Sequence, residues 1–395
     1  MLITYNLSSP KPMKKIALLV CFVLAIGSYA QTKYETLKSL KLDETRKIKI
    51  QLPRNYERNN VKKYPVILVL DGDYLFEPVA GNVDYLSYWE EMPEAIVVGV
   101  LQGNSRIDDM SYDDLNYLPE KKAEKFFEFI GYELLPEIDK NYRTSNFRIA
   151  VGHDITANFI NYFLYKENSL FRGYINLSPD YAFKSEERLV EKLTNIDAKT
   201  WYYMATGSND VAAIRENVLK IDASLKTIEN ENVQYSFSDF ENGSHYTVAA
   251  QAIPKALANI FSMYPPISKK EYKEVILKLD GEETPYDYLV NKYETMRSLF
   301  SLSNQVRIND FIAVSTALEK KQDWESLEKL GNLARKEHPE LMLGNYYLGT
   351  FYEQTGDPKK AMRAYENGFL QEEVAFLTKD MLLQKIERIK EDFGY

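Results

Sequence analysis

The chain has 395 residues, with 58 acidic side chains against 49 basic ones and a formal charge of −9. A chain this acidic, without a basic cluster, is not suited to nucleic acid or to an anionic membrane surface. Hydrophobic residues at 45% and charged ones at 27% describe a globular protein, and the length allows two or three domains.

The first 30 residues read as a processing signal. Lys14 and Lys15 precede an apolar run from Ile16 to Ile26, and Ser28-Tyr29-Ala30 offers small residues for cleavage before Gln31. The run is too short for a bilayer span, which needs about 20 apolar residues. Met13 fits as the true start, with Met1 to Pro12 as an extension ahead of it. The expected product is exported, periplasmic or secreted, with no membrane span after cleavage. Cys21, the single cysteine, falls inside the apolar run and leaves with it, so the mature chain forms no disulfide. Residues 1–30 hold Lys11, Lys14 and Lys15 and no acids, so 46 basic residues then face 58 acidic ones, a balance of −12.

From about residue 46 to 262, short apolar runs alternate with helical stretches. Strands are predicted at Lys47–Leu52, Tyr64–Gly72, Ala95–Gln102, Phe147–Asp154, Arg172–Ser178, Thr200–Gly207 and Val233–Phe240. Runs such as Val66-Ile67-Leu68-Val69-Leu70 are apolar without alternation, as in strands covered on both faces. Helical stretches such as Glu120–Asp139, Ala157–Lys166 and Ala212–Glu229 lie between them. This alternation predicts an α/β domain with a doubly wound, mainly parallel sheet.

After Pro265-Pro266 the strand-like runs vanish and the remainder reads as all-α. Asn345 to Gly368 carries Leu348, Gly349, Tyr352, Gly356-Asp357, Ala361 and Tyr365, a spacing that resembles a tetratricopeptide repeat. A shift of about 34 residues, one repeat length, places Ile308–Leu341 as a weaker copy, with Ala334 and Pro339 in step. Phe376–Phe393 then serves as a capping helix. The expected organisation is a signal over 1–30, the α/β domain over 31–264, a helical linker over 265–307 and a smaller repeat-like domain over 308–395. Two repeats are few for a peptide groove, so a bracing role against the α/β domain competes with recruitment of a protein partner.

The stretch Phe147-Arg148-Ile149-Ala150-Val151-Gly152-His153-Asp154-Ile155-Thr156-Ala157 is a strand that runs into a tight turn and then a helix. That is the setting of a nucleophile elbow. It resembles the Gly-His-Ser-x-Gly-Gly elbow of the putative esterase family, which includes esterase-D-like and enterochelin-esterase-like α/β-hydrolases. Leu68 to Asp73 is similar to that family's strand and oxyanion loop, and Asn104 to Asp108 to its Asn-x-Arg-x-x-Asp stretch. Tyr174 to Pro179 is similar to its Ile-Ser-Pro strand end, and Phe240 to His245 to the segment holding its histidine. The resemblance spans about residues 40 to 260. It implies an α/β-hydrolase fold, a small-molecule substrate or ligand, and no cofactor or metal. It also implies a site of Asp154, Asp210 and His245, with Gly72, Asp73, Ile155 and His153 as oxyanion or substrate-binding residues.

The order nucleophile, acid, histidine along the chain agrees with that fold. Of three histidines, His338 lies in the helical tail and His153 inside the elbow, which leaves His245 as the general base. Asp239 and Glu241 compete with Asp210 as its acid. Asp154 stands where the family keeps serine, and Thr156 replaces a glycine of the elbow. A carboxylate attacking an ester carbonyl would give a mixed anhydride, higher in energy than the ester, so serine-esterase chemistry is disfavoured. Three readings stay open. Asp154 is a nucleophile at saturated carbon, with His245 activating water; or it is a general base for water; or the protein is a pseudoenzyme. In the last case it binds a ligand or partner through the pocket and the helical tail. The acids Asp108, Asp109, Asp113 and Asp114 fit no calcium loop and read as a solvated surface.

Overall fold

Eight strands form one mixed sheet in the order β1-β2-β4-β3-β5-β6-β7-β8. The computed structural model describes residues 32–58, 60–302 and 304–394, so the expected signal segment and Cys21 lie outside the described residues. The strands are β1 (Thr32–Ser39), β2 (Glu44–Gln51), β3 (Tyr64–Val69), β4 (Ile96–Val100), β5 (Thr144–His153), β6 (Gly173–Leu177), β7 (Thr200–Asn209) and β8 (Val233–Ser244). β1 and β2 pair antiparallel, as do β2 and β4; every other neighbouring pair is parallel. β3 and β4 are buried at every position, as their unbroken apolar runs require.

Helices cover both faces. Ile67, Val69, Val97, Ile149, Val151 and Ile175 point to one face, under α1 (Phe76–Tyr88). Val66, Leu68, Val98, Ala150 and Tyr174 point to the other. That second face lies under α2 (Lys121–Glu128), α3 (Leu135–Asn141), α4 (Ile155–Leu164), α5 (Ser185–Thr194) and α6 (Ala212–Leu225). A π-helical stretch, Phe129–Leu134, joins α2 to α3. α7 (Thr247–Ile260) returns to the first face.

The rest of the described chain is helical: α8 (Pro285–Phe300), α9 (Ile308–Lys321), α10 (Trp324–Glu337), α11 (Leu343–Gln354), α12 (Pro358–Phe369) and α13 (Lys379–Phe393). Small residues set the packing. A Cβ on Gly331 would lie 2.8 Å from Leu348 Cγ, and one on Gly344 2.8 Å from the Gly331 carbonyl, so α10 and α11 meet backbone to backbone.

This helical region shares its core with the sheet. Phe300, at the end of α8, sits in a cluster with Phe147 at 5.0 Å, Trp201 at 5.7 Å and Phe261 at 5.2 Å between ring centroids. Its carbonyl accepts from Ser145 Oγ at 3.3 Å. Buried Asp310 accepts from Ile267 N and Tyr293 Oη, and Arg307 pairs with Glu90 at 2.7 Å. Burial of a ring of this size contributes about 2–3 kcal/mol. Among the described residues no helix is long and apolar enough to cross a membrane.

Candidate functional site

The parallel strands end on one edge of the sheet, where this architecture collects its ligand sites. β5 delivers His153 and Asp154 there, and α4 starts at the next residue. Asp154 takes φ 60° and ψ −127°, a conformation that costs a non-glycine residue about 1–3 kcal/mol. The turn is tight: a Cβ on Gly152 would lie 2.5 Å from the Thr156 carbonyl oxygen. Thr156, in place of the family glycine, is fully buried and bridges the turn. Its Oγ1 accepts from His153 N and lies 2.8 Å from Asp71 Oδ2.

β7 and β8 deliver the other two residues. His245 Nδ1 lies 2.8 Å from Asp210 Oδ1, and His245 Nε2 lies 3.8 Å from Asp154 Oδ1. Asp210 is shielded from solvent and also accepts from Thr206 Oγ1 and Val211 N. Burial alone would raise the Asp210 carboxyl, but the hydrogen bonds from His245 and Thr206 hold it well below the usual carboxylate range. The Asp210 hydrogen bond raises His245 above its ordinary value, against the effect of burial. The charges of Asp210, Asp154 and Asp180 add to the rise.

Arg106 was not among the residues expected at the site. It lies in the short helix Arg106–Asp109, in the loop after β4. Its guanidinium grips Asp71 through Nε at 2.6 Å and Nη2 at 3.0 Å, and the same Nη2 lies 3.2 Å from Asp154 Oδ2. Both oxygens of Asp154 thus face a cationic partner. Arg106 belongs to the Asn104–Asp108 stretch that carried the family resemblance, which was the available signal for it.

The structure brings Asp154, His245 and Asp210 together, while the expected binding residues divide. His153 is only 2% exposed and both ring nitrogens are occupied, so it holds the fold and does not meet a ligand. Its Nε2 reaches the His245 carbonyl and its Nδ1 the Tyr74 hydroxyl, both at 2.9 Å. Burial lowers its pKa and so favours the neutral ring, with Nε2 donating to the His245 carbonyl. Gly72 donates its N–H to the Val100 carbonyl at 2.9 Å, and a Cβ there would clash with the same oxygen, so Gly72 shapes the loop. The Asp73 carboxylate turns back to accept from Gln102 N and Gly103 N. The backbone N–H groups of Asp73 and Ile155 find no acceptor among the described residues. Asp239, the competing acid, is instead paired with Arg215 at 2.7 Å.

Two clefts lie elsewhere. One, of about 820 Å³ between the sheet domain and the helical region, has Arg54, Lys62, Glu94 and Arg307 in its walls. The other, of about 720 Å³, is lined by Phe127, Tyr132, Phe163 and Tyr165. Neither is lined by Asp154 or His245. No group of three or more metal-binding side chains occurs among the described residues.

An elbow at the edge of a doubly wound sheet, with an acid after β7 and a histidine after β8, defines an α/β-hydrolase-fold protein. Residues 39–172 match the sequence profile of the putative esterase family. The chain is similar to the ferri-bacillibactin esterase BesA of Bacillus subtilis (strain 168), at 22% identity over 232 residues, 51% of this chain and 80% of that protein. In three dimensions it resembles an uncharacterised protein from Capnocytophaga ochracea DSM 7271, at 30% identity and a TM-score of 0.84. That likeness covers 91% of this chain and 100% of the other, and so takes in the helical region. An IroE-like serine hydrolase from Shewanella oneidensis shares the fold at 20% identity and a TM-score of 0.58, over 77% of this chain and 99% of its own.

Proposed function

We propose that this protein binds a small-molecule ligand in the esterase pocket without serine-type turnover. The observation that carries this reading is the double hold on Asp154, by Arg106 at 3.2 Å and by His245 at 3.8 Å. A serine esterase needs a neutral histidine to take the hydroxyl proton. Here three carboxylates favour the imidazolium, and the residue at the elbow has no hydroxyl. The similarity to a protein named as an esterase supports a small-molecule ligand at the same sheet edge.

A second reading keeps turnover. The strained elbow and the facing of His245 Nε2 toward Asp154 favour it. In that scheme an Asp154 oxygen bonds to a saturated carbon and the leaving group departs with its electron pair. The resulting ester no longer carries the charge of Asp154, which weakens the hold on the imidazolium. His245 then takes a proton from water, the hydroxide cleaves the ester, and the alcohol leaves with Asp154 restored.

Hydrolysis of p-nitrophenyl acetate and of a short alkyl bromide separates the two readings, using the protein from Gln31 beside Asp154→Ala and Asp154→Ser. The binding reading expects a silent parent and an esterase-active Asp154→Ser. Parent turnover that Asp154→Ala abolishes would overturn it and install the second reading.

Export to the periplasm or the medium belongs to the same proposal, resting on Lys14-Lys15, the Ile16–Ile26 run and the small residues before Gln31. Recovery of a product starting at Gln31 from the periplasmic fraction or the medium tests it. We assign the helical region to bracing the sheet, on the strength of Phe300.

A further inference from the structure

The pocket proposed above is more acidic than its ion pairs neutralise. Four carboxylates, Asp71, Asp154, Asp180 and Asp210, meet two cations, Arg106 and His245, an excess of two negative charges among these six side chains when the histidine is protonated, while Lys184 Nζ lies 5.9 Å from the Tyr117 ring. Each cation has a nearer partner than Asp154: Asp71 at 2.6 Å for Arg106, and Asp210 at 2.8 Å for His245. Asp180 forms no ion pair among the described residues. Its backbone N–H donates to the Asp154 carbonyl at 3.2 Å, so the two acids are neighbours across the elbow. Burial and the charge of Asp154 both raise the Asp180 carboxyl.

Aromatic rings lie on the chain segments next to Asp180 and His245. Half-buried Tyr112 lies near enough to Asp180 for that charge, after burial, to raise its hydroxyl. The Tyr112 ring lies 6.1 Å from Tyr117, which lies 5.4 Å from Phe183, a ring 70% exposed. This wall is anchored: the Tyr117 carbonyl accepts from Arg188 Nη1 at 3.2 Å and from Tyr162 Oη at 3.0 Å. On the histidine side Tyr246, 80% exposed, meets His245 edge-on at 5.3 Å.

We infer that the pocket selects an organic cation, with an alkylammonium or quaternary ammonium head beside Asp154 and Asp180 and faced by Tyr112, Phe183 and Tyr246. A site with more carboxylates than cations repels an anion, and ring faces attract a large, weakly hydrated cation more than a neutral group of the same shape. The inference rests on the reading of Asp154 as a binding group.

Choline, its neutral isostere 3,3-dimethyl-1-butanol and the anion trimethylacetate make the test, each titrated calorimetrically into the protein from Gln31. Choline is expected to bind about tenfold tighter than the alcohol, with no binding of trimethylacetate. Asp180→Asn, a near-isosteric change, is expected to weaken choline about tenfold and leave the alcohol unchanged. Phe183→Ala is expected to weaken both. Equal affinity for choline and the alcohol, tighter binding of trimethylacetate, or indifference of choline to Asp180→Asn would each overturn the cation assignment. If choline fails while Asp154→Ser hydrolyses p-nitrophenyl acetate, the cation assignment falls and the pocket reading stands. Choline binding beside parent turnover that depends on Asp154 retains the cation preference and removes the non-catalytic reading.

Discussion

One guanidinium nitrogen, Arg106 Nη2, lies 3.2 Å from Asp154 Oδ2 and 3.0 Å from Asp71 Oδ2. The elbow after β5 is therefore tied to the loop after β3 through a residue of the loop after β4. Asp71 is 1% exposed, so its charge depends on Arg106 for compensation.

Arg106→Met is accordingly expected to destabilise the fold by about 3 kcal/mol, since it leaves a buried carboxylate without a cationic partner. Urea unfolding measures this. Adding Asp71→Asn to Arg106→Met should recover most of the loss. If the double variant is no more stable than the single one, Asp71 is not the group that needs Arg106.

The two histidines of the site should titrate apart. The Asp210 hydrogen bond and the charges of Asp154 and Asp180 place His245 above the ordinary value of about 6.5, while burial places His153 below it. The stabilisation from His245 is complete below the unfolded value near 6.5, and it is lost as pH rises through the elevated folded value. NMR titration of the ring protons should show this order, and Asp210→Asn should bring His245 down. A His245 resonance that titrates below His153 would contradict the site geometry.

Backbone strain at Asp154 predicts an unusual ranking. Asp154→Ala and Asp154→Gly both remove the carboxylate, but only glycine relaxes at φ 60° and ψ −127°. The glycine variant should be more stable than the alanine variant by about 1 kcal/mol or more in chemical unfolding. Equal stability would mean that the turn is not strained.

Phe300→Ala should cost about 3–5 kcal/mol, because the cavity opens between Phe147, Trp201 and Phe261. A chain ending at residue 264 should expose the same cluster and aggregate. A soluble, fully folded 31–264 fragment would show that the helical region is dispensable to the sheet.

Strands buried on both faces were readable from their apolar runs, and the observed β3 to β8 fall within a few residues of the expected spans. β1 was missed because TKYETLKS is mostly polar and exposed, as an edge strand can be. The positions of Asp154 and His245 were legible because each follows directly on a strand. Tyr74 and Asp180 were not, and Arg106 was signalled only by the Asn104–Asp108 resemblance, since their roles arise from loops of different strands that meet only in the folded sheet. His153, expected as a binding residue, lies in the interior for a related reason. The side chain preceding the elbow residue points into the interior, where Tyr74 and the His245 carbonyl occupy it. The helical hairpins were visible from their small residues, but nothing local announced that Phe300 would enter the core of the other region.

That insertion also orders events during synthesis. Trp201 leaves the ribosome about a hundred residues before Phe300, roughly 5–20 s earlier at ordinary elongation rates. Through that interval one face of the nascent sheet, with Phe147 and Trp201 on it, lacks its aromatic lid. The sheet therefore completes this part of its core only after translation has passed residue 300.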